Sequence, residues 1–271
     1  VTNFKKVNDI EFLFFWNNRN IRRKQPADLI LAFNTFCDQL DPEDAKKCAL
    51  LMHTQISDPN GTDLMAVKRA ICPKYKVLFS NQSIDTKMLN FYYNAADITV
   101  NIASNEGFGI SWNESLHTGT PIINNVTGGL QDGCRFEDEN GKWIEFDTHF
   151  PSNHHGTYKK HANWAKPVFP ACRSVQGSPV TPYIFDDRCD FRDVADAMMY
   201  WYKMDDKTRY EYGMEGRDWV RGDESYMSAK GMSKRMAECI EECFEKWTPR
   251  KRAALYKIEQ IKEIENPGVI V

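Results

Sequence analysis

No apolar run in this 271-residue chain reaches the roughly 18 to 20 residues that a helical membrane span requires. Excess positive charge is also missing. Lys and Arg number 35 against 38 Asp and Glu, a net charge of -3, so nothing in the overall balance argues for a nucleic-acid partner. The eight cysteines, Cys37, Cys48, Cys72, Cys134, Cys172, Cys189, Cys239 and Cys243, contain no Cys-x-x-Cys pair and are scattered over the whole length. That distribution reads as reduced, cytosolic thiols rather than a disulfide framework. Cys239 and Cys243 are expected to share one face of a helix and to pack there. Internal repeats and low-complexity tracts are absent, and no signal peptide is visible. The chain begins at Val1 rather than Met, so a missing upstream segment is part of the expectation. Finally, the first strand-like run lacks a following glycine fingerprint, which disfavours a dinucleotide-dependent dehydrogenase.

What is present is an ordinary globular composition, 42% hydrophobic and 27% charged, long enough for one large domain or two modest ones. Short apolar runs at 11–16, 48–53, 76–79, 98–103 and 121–126 alternate with amphipathic segments at 26–40, 62–72, 85–96 and 109–118. That alternation predicts an α/β fold with a parallel sheet and helices on both faces, a Rossmann-like architecture. Ligands of such sheets bind beyond the carboxyl ends of the strands. From 134 to 182 the pattern breaks into a loop-rich insertion in which only 142–146 looks strand-like. Helices are then expected at 191–204, 206–221 and about 228–247, and a last one begins near Thr248 and Pro249 and runs to about Glu265.

Two constellations bear on chemistry. In "SNEGFGISWNESLHTGTPI" a strand hands over to a helix through Gly107, Phe108 and Gly109, with Glu106 before the helix and Glu114 inside it. Free amides at a helix start attract anions, glycines allow close backbone approach, and carboxylates grip paired hydroxyls. Together they describe a site for a nucleotide sugar; a tight turn carrying two solvated glutamates is the plainer alternative. The second constellation is the basic loop Arg19, Arg22, Arg23 and Lys24 directly after the first strand. Cations there suit a diphosphate and the charge that develops on it as a leaving group. A solvated basic turn is the competing reading, weakened because both loops fall at one edge of the sheet.

These residues resemble the carboxyl-terminal, donor-binding half of a retaining GT-B glycosyltransferase of glycosyltransferase family 4. "EGFGISWNE" (106–114) fits the family's E-G-F-G-x-x-x-x-E in full. "NRNIRRKQ" (18–25) keeps the Arg and Lys of G-R-x-x-x-x-K-G, while Asn18 and Gln25 replace both glycines. "NESLHTGTPII" and "VTGG" (126–129) are similar to the segments that follow in the family. The likeness covers roughly residues 10 to 130 well and the terminal helices loosely.

The resemblance implies that Arg19 and Lys24 bind the donor diphosphate and stabilise it as it leaves. It implies that Glu106 holds hydroxyls of the donor sugar and Glu114 those of the ribose. The backbone from Gly107 through Phe108, Gly109, Ile110 and Ser111 would face sugar and phosphates, with Ser83 and Ile84 beside the base. No metal and no cofactor is implied, and the acceptor, whether glycan, lipid, protein or modified nucleic acid, stays open. The family's amino-terminal domain is missing, which favours a fragment. Residues 1–247 would then form the nucleotide-sugar domain and 248–271 a helix docking on the absent half. The expected activity is transfer of a sugar, with retention, to an acceptor hydroxyl. The alternative is a binding module without catalysis of its own. The expected location is cytoplasmic, with peripheral membrane association left open. His149, His154, His155 and His161 crowd the insertion without a common zinc spacing, so a polar loop is expected there. Trp143, Tyr158 and Trp164 in the same stretch suit either a core or a sugar face, and His117 is expected to be a packed or surface residue.

Overall fold

A computed structural model describes residues 2–145, 150–177 and 179–249. Its frame is a six-stranded sheet in the order β3-β2-β1-β4-β5-β6, parallel at every pairing. The strands are β1 (Phe12–Asn17), β2 (Cys48–His53), β3 (Lys76–Ser80), β4 (Ile98–Asn101), β5 (Ile122–Asn125) and β6 (Ala165–Val168). The α/β, Rossmann-like class expected from the alternation is the fold observed.

β1 shows why its sequence is apolar throughout. Phe12, Phe14 and Trp16 point to one face of the sheet, where they meet Leu29, Phe33 and Phe36 of α2 (Pro26–Cys37) and Met198 and Trp201 of α8 (Phe191–Lys203). Leu13 and Phe15 point to the other face and meet Tyr93 and Ala95 of α5 (Thr86–Ala95). A central strand covered on both sides has no polar face to display, so alternation disappears. Each such side chain withdrawn from water contributes about 1.5–3 kcal/mol.

Helix starts follow their capping residues. Asp63 caps α4 (Leu64–Ile71), Asp85 caps α5, Asp190 caps α8, Asp205 caps α9 (Asp206–Arg221) and Ser228 caps α10 (Ala229–Lys246), each accepting from a backbone amide of the first turn. α6 (Ile110–Thr118) differs: Gly109 precedes it at φ +80° and no side chain caps it. Among the described residues three short helices, α1 (Thr2–Val7), α3 (Pro42–Lys47) and α7 (Leu130–Cys134), and a 3₁₀ turn at Arg22–Lys24 complete the set.

The region 134–182 departs from expectation. Residues 142–145 form no strand, and Trp143 makes only an isolated bridge to Glu137. The same region instead supplies β6, the edge of the main sheet, and β7 (Cys172–Gln176), which pairs antiparallel with β8 (Ile184–Arg188). β6 reads Ala-Lys-Pro-Val, and its lysine and proline hid it. An edge strand needs only one hydrogen-bonded side, so proline is tolerated there, and Lys166 lies with Nζ 4.5 Å from the Tyr200 ring. A second cluster, with Trp112, Phe136, Trp164 and Trp219, fills the space between α6, α9 and this region. Trp143 and Trp164 are therefore core residues.

Packing expected of Cys239 and Cys243 is not observed. α10 lies largely in solvent; Cys239 is partly exposed and Cys243 exposed, and all eight cysteines are free thiols. The terminal helix expected from 248 to about 265 falls, from residue 250 on, outside the described residues, as do His149 and the last residue of the 142–146 run. Among the described residues no helix is long and apolar enough to cross a membrane.

Candidate functional site

The strand order reverses between β1 and β4, which run side by side although two strands separate them in sequence. At such a switch point the loops that follow the two strands diverge to opposite faces and leave a crevice between them. The loop after β1 carries the basic residues, and the loop after β4 carries Ser104 to Gly109. Both halves of the sequence-derived site therefore meet at one crevice.

They are joined by charge. Glu106 Oε2 accepts from Arg23 Nη1 at 3.0 Å and also from Lys24 Nζ. Arg23 Nη1 reaches the Asn105 carbonyl at 2.9 Å, and the Arg23 carbonyl accepts from the Ser104 amide at 2.7 Å. Lys24 is 7% exposed. Burial lowers its pKa, and the hydrogen bond and charge of Glu106 oppose that shift.

Arg19 has a different partner. It points to Asp58, donating from Nε at 2.8 Å, and its side chain remains 62% exposed. The pairing raises the Arg19 pKa and lowers that of Asp58. Thus Arg23, Lys24 and Glu106 come together, while Arg19 pairs with Asp58. Arg23 was visible as one of four basic residues, but spacing alone did not distinguish it.

Glu114, one turn into α6, accepts from the Tyr93 hydroxyl at 2.7 Å, and that hydroxyl accepts from Asn17 Nδ2 at 3.0 Å. Burial first, and then Glu114, hold the Tyr93 phenol well above its ordinary pKa. Tyr93 and Glu114 line a cavity of about 420 Å³ with Thr86, Leu89, Ile110 and Met232. Tyr93 was missed by sequence reasoning because a helix-borne aromatic reads as core, which most of its ring is. Ser83 and Ile84 lie on the loop between β3 and α5 and are not among the residues lining that cavity. His117 lines it, with Nδ1 2.9 Å from the Asn113 carbonyl.

The glycine loop is held from beneath. Gly129 donates to the Glu106 carbonyl at 3.0 Å, and Gly128 has φ +47°. A Cβ on Gly128 would stand 2.1 Å from the Glu106 carbonyl oxygen, and one on Gly129 2.3 Å from that of Gly107. Trp112 Nε1 donates to the Phe108 carbonyl at 2.7 Å, with the two rings 5.1 Å apart. Ile110 is exposed, whereas the Ser111 hydroxyl is buried and accepts from Asn101 Nδ2 at 3.0 Å. Gly107 is the exception: a Cβ there would meet nothing within 4 Å. Internal packing does not require glycine at that position.

The β7-β8 hairpin is fastened to the same loops. The Asp187 amide donates to Ser104 at 2.7 Å, its carbonyl accepts from Asn125 Nδ2 at 2.7 Å, and its carboxylate takes the Thr127 hydroxyl at 2.8 Å. Asn105 Nδ2 donates to Asp186 at 2.5 Å, and Arg188 grips Asp28 of α2 with two bonds of 2.7 Å.

No group of three or more His, Cys, Asp or Glu side chains suited to a metal ion occurs among the described residues. His154 is buried among Phe136, Tyr158 and Phe169, and burial lowers its pKa. His154 is thus part of a packed aromatic group, not of the polar loop expected.

The chain was compared with known proteins. No protein-family model and no curated protein matches it. Solved structures do match in shape. An E. coli trehalose-6-phosphate structure bound with UDP-2-fluoro glucose superposes with a TM-score of 0.60 at 13% identity, covering 92% of this chain and 47% of that one. Sucrose-phosphate synthase from Thermosynechococcus elongatus gives 0.56 at 18%, covering 90% and 49%. A glycosyltransferase from Rickettsia africae gives 0.53 at 15%, covering 87% and 48%. What the chain shares with these structures is a Rossmann-like parallel α/β fold. At these identities the likeness concerns fold alone, and the chain spans about half the length of each of these GT-B proteins.

Proposed function

We propose that this chain is the donor-binding part of a retaining glycosyltransferase of family 4, moving a sugar from a nucleotide-diphosphate donor to an acceptor hydroxyl. The observation that carries the reading is the cluster of Arg23, Lys24 and Glu106 at the switch point, beside the uncapped start of α6 and the cavity of Glu114. One cavity wall supplies a carboxylate for ribose hydroxyls, the α6 amides and the basic loop supply an anion site, and Glu106 lies between them to hold sugar hydroxyls. Gly107, where an added Cβ would meet nothing within 4 Å, leaves clearance for a ligand against the backbone. Ser83 and Ile84 approach the base from the β3-α5 loop, and Arg19 assists the diphosphate from the rim.

In the transfer the bond between anomeric carbon and diphosphate oxygen breaks. A bond from that carbon to the acceptor oxygen forms, and the acceptor proton passes to the departing diphosphate. Arg23 and Lys24 offset the charge appearing on that leaving group, with no metal and no cofactor. Residues 1–247 act as one donor domain, and 248–271 dock on an amino-terminal half. A second reading is a nucleotide-sugar binding module without catalysis of its own.

Titration calorimetry against UDP, GDP and ADP sugars tests both. Lys24→Ala and Arg23→Ala should weaken diphosphate-bearing ligands at least tenfold more than the free nucleoside, and Glu114→Ala should weaken both alike. If no nucleotide binds, or Glu114→Ala changes nothing, both readings fail. Binding without turnover, even beside a supplied amino-terminal half, selects the module.

A further inference from the structure

A polar trough of about 670 Å³ is lined by Arg22 and Gln25 of the basic loop, by Asn60 and by the β7-β8 hairpin. The β7-β8 register explains its wall. Ser174 pairs with Asp186 and Gln176 with Ile184, so Ser174, Gln176, Asp186 and Arg188 share one face of the hairpin. That face looks onto Arg22, Gln25 and Asn60 across the trough. A narrower continuation of about 310 Å³ shares Arg22, Asn60, Gln176 and Asp186 with it and extends to Arg23 and Asn105. Arg23 and the Asn105 carbonyl are the groups that hold, and adjoin, Glu106. The trough therefore leads toward Glu106, where the proposed donor sugar sits.

Its chemistry is specific in kind. Arg188 and Asp28 neutralise each other through two hydrogen bonds. That leaves one cation, Arg22, which makes no ion pair among the described residues, opposite one carboxylate, Asp186. The other polar side chains lining it are two alcohols, Thr62 and Ser174, and four amides, Gln25, Asn60, Gln176 and the buried Asn20, groups that can both donate and accept. A surface balanced in charge and mixed in hydrogen-bonding sense complements hydroxyl groups, which also do both; it has no net charge to attract an anion. Pro26 and Pro59 add small apolar faces suited to the C–H side of a sugar ring.

We propose that this trough binds a neutral carbohydrate acceptor and presents its hydroxyl toward Glu106, with the hairpin as the specificity wall. The proposal rests on the glycosyltransferase reading above for the word acceptor, and on the trough alone for carbohydrate binding. The hairpin is pinned at Ser104, Asn105, Asn125 and Asp28, so the wall is pre-formed and binding carries little ordering cost.

Glycan-array screening of the full chain over neutral, sulfated and sialylated glycans identifies the binder, and saturation-transfer NMR with the best neutral glycan then measures it. The expected result is binding of a neutral glycan, reduced at least tenfold by Ser174→Trp, which fills the trough, and by Gln176→Leu, which removes an amide without adding bulk. Circular dichroism of both variants checks that they fold. The proposal is overturned if no neutral glycan binds, if only the anionic glycans do, or if neither folded variant changes the affinity. Donor titrations run in parallel separate the two readings. Glycan binding lost in the trough variants but no nucleotide sugar bound by the wild type would leave the trough standing and remove the donor site; the reverse would do the opposite.

Discussion

Replacing Glu106 with alanine should destabilise the protein even in the absence of ligand, because it strands a buried ammonium. The Lys24 side chain is 9% exposed and that of Glu106 12%, so both charges have left most of their water. Removing one member of a buried pair typically costs 3–5 kcal/mol. Arg23, which also touches Glu106, is 38% exposed and can rehydrate, so the lower end, about 3 kcal/mol, is expected. In urea unfolding, with a slope of roughly 3 kcal/mol/M, the midpoint should fall by about 1 M.

The pH dependence carries a definite sign. Lys24 already has a folded pKa below its ordinary 10.5, and losing Glu106 removes the two influences that raise it. A base whose pKa is depressed by folding binds fewer protons folded than unfolded. Stability therefore rises with pH between the depressed value and 10.5, and the full penalty applies below that window. The Glu106→Ala deficit should thus be largest near neutrality and shrink toward pH 10. Adding Lys24→Met should recover most of the loss at pH 7, since an apolar replacement of the whole pair leaves no unpaired charge. A midpoint shift below 0.2 M (roughly half a kcal/mol at that slope), or a double variant no more stable than the single one, would refute the reasoning.

Two further perturbations follow from the same geometry. Burial pushes the Asp132 carboxyl up to about 7, so its stabilising contribution is complete below the ordinary 3.8 and is lost as pH rises through 7. Asp132→Asn should flatten the fall in thermal midpoint between pH 4 and 8 and be the more stable protein at pH 8; an unchanged slope would contradict the burial. Gly107→Ala should leave the melting temperature within a degree or two while weakening nucleotide-sugar binding, whereas Gly128→Ala should lower it by several degrees. Equal effects of the two would deny that only Gly107 is free of the protein's own packing.

Much of the donor-side geometry was legible because it is local. Strand identity came from apolar runs, and helix identity from the amphipathic spacing of the segments between them. The alternation, which makes the sheet parallel, placed the loops after β1 and β4 on the same edge. Three features were not legible. Arg23 and not Arg19 faces Glu106, because the 3₁₀ turn at Arg22–Lys24 rotates successive side chains to different sides, and Asp58 captures Arg19 from a loop 39 residues away. Tyr93 reaches Glu114 from another helix, a contact at a sequence separation of 21 residues that leaves no periodic sign. β6 was concealed by a lysine and a proline that only an edge position tolerates.

The sequence alone, then, determined the α/β class and placed a basic loop and a glutamate followed by glycine at one sheet edge, since each follows from residue spacing along its own strand-to-helix unit. Only the tertiary structure decided which cation neutralises Glu106. It also decided where the hairpin closes the crevice and that a second, charge-balanced trough borders the basic loop. The reason is physical: propensity and periodicity act over a few residues. Ion pairing and burial depend on which distant segments the folded sheet brings within a few ångströms.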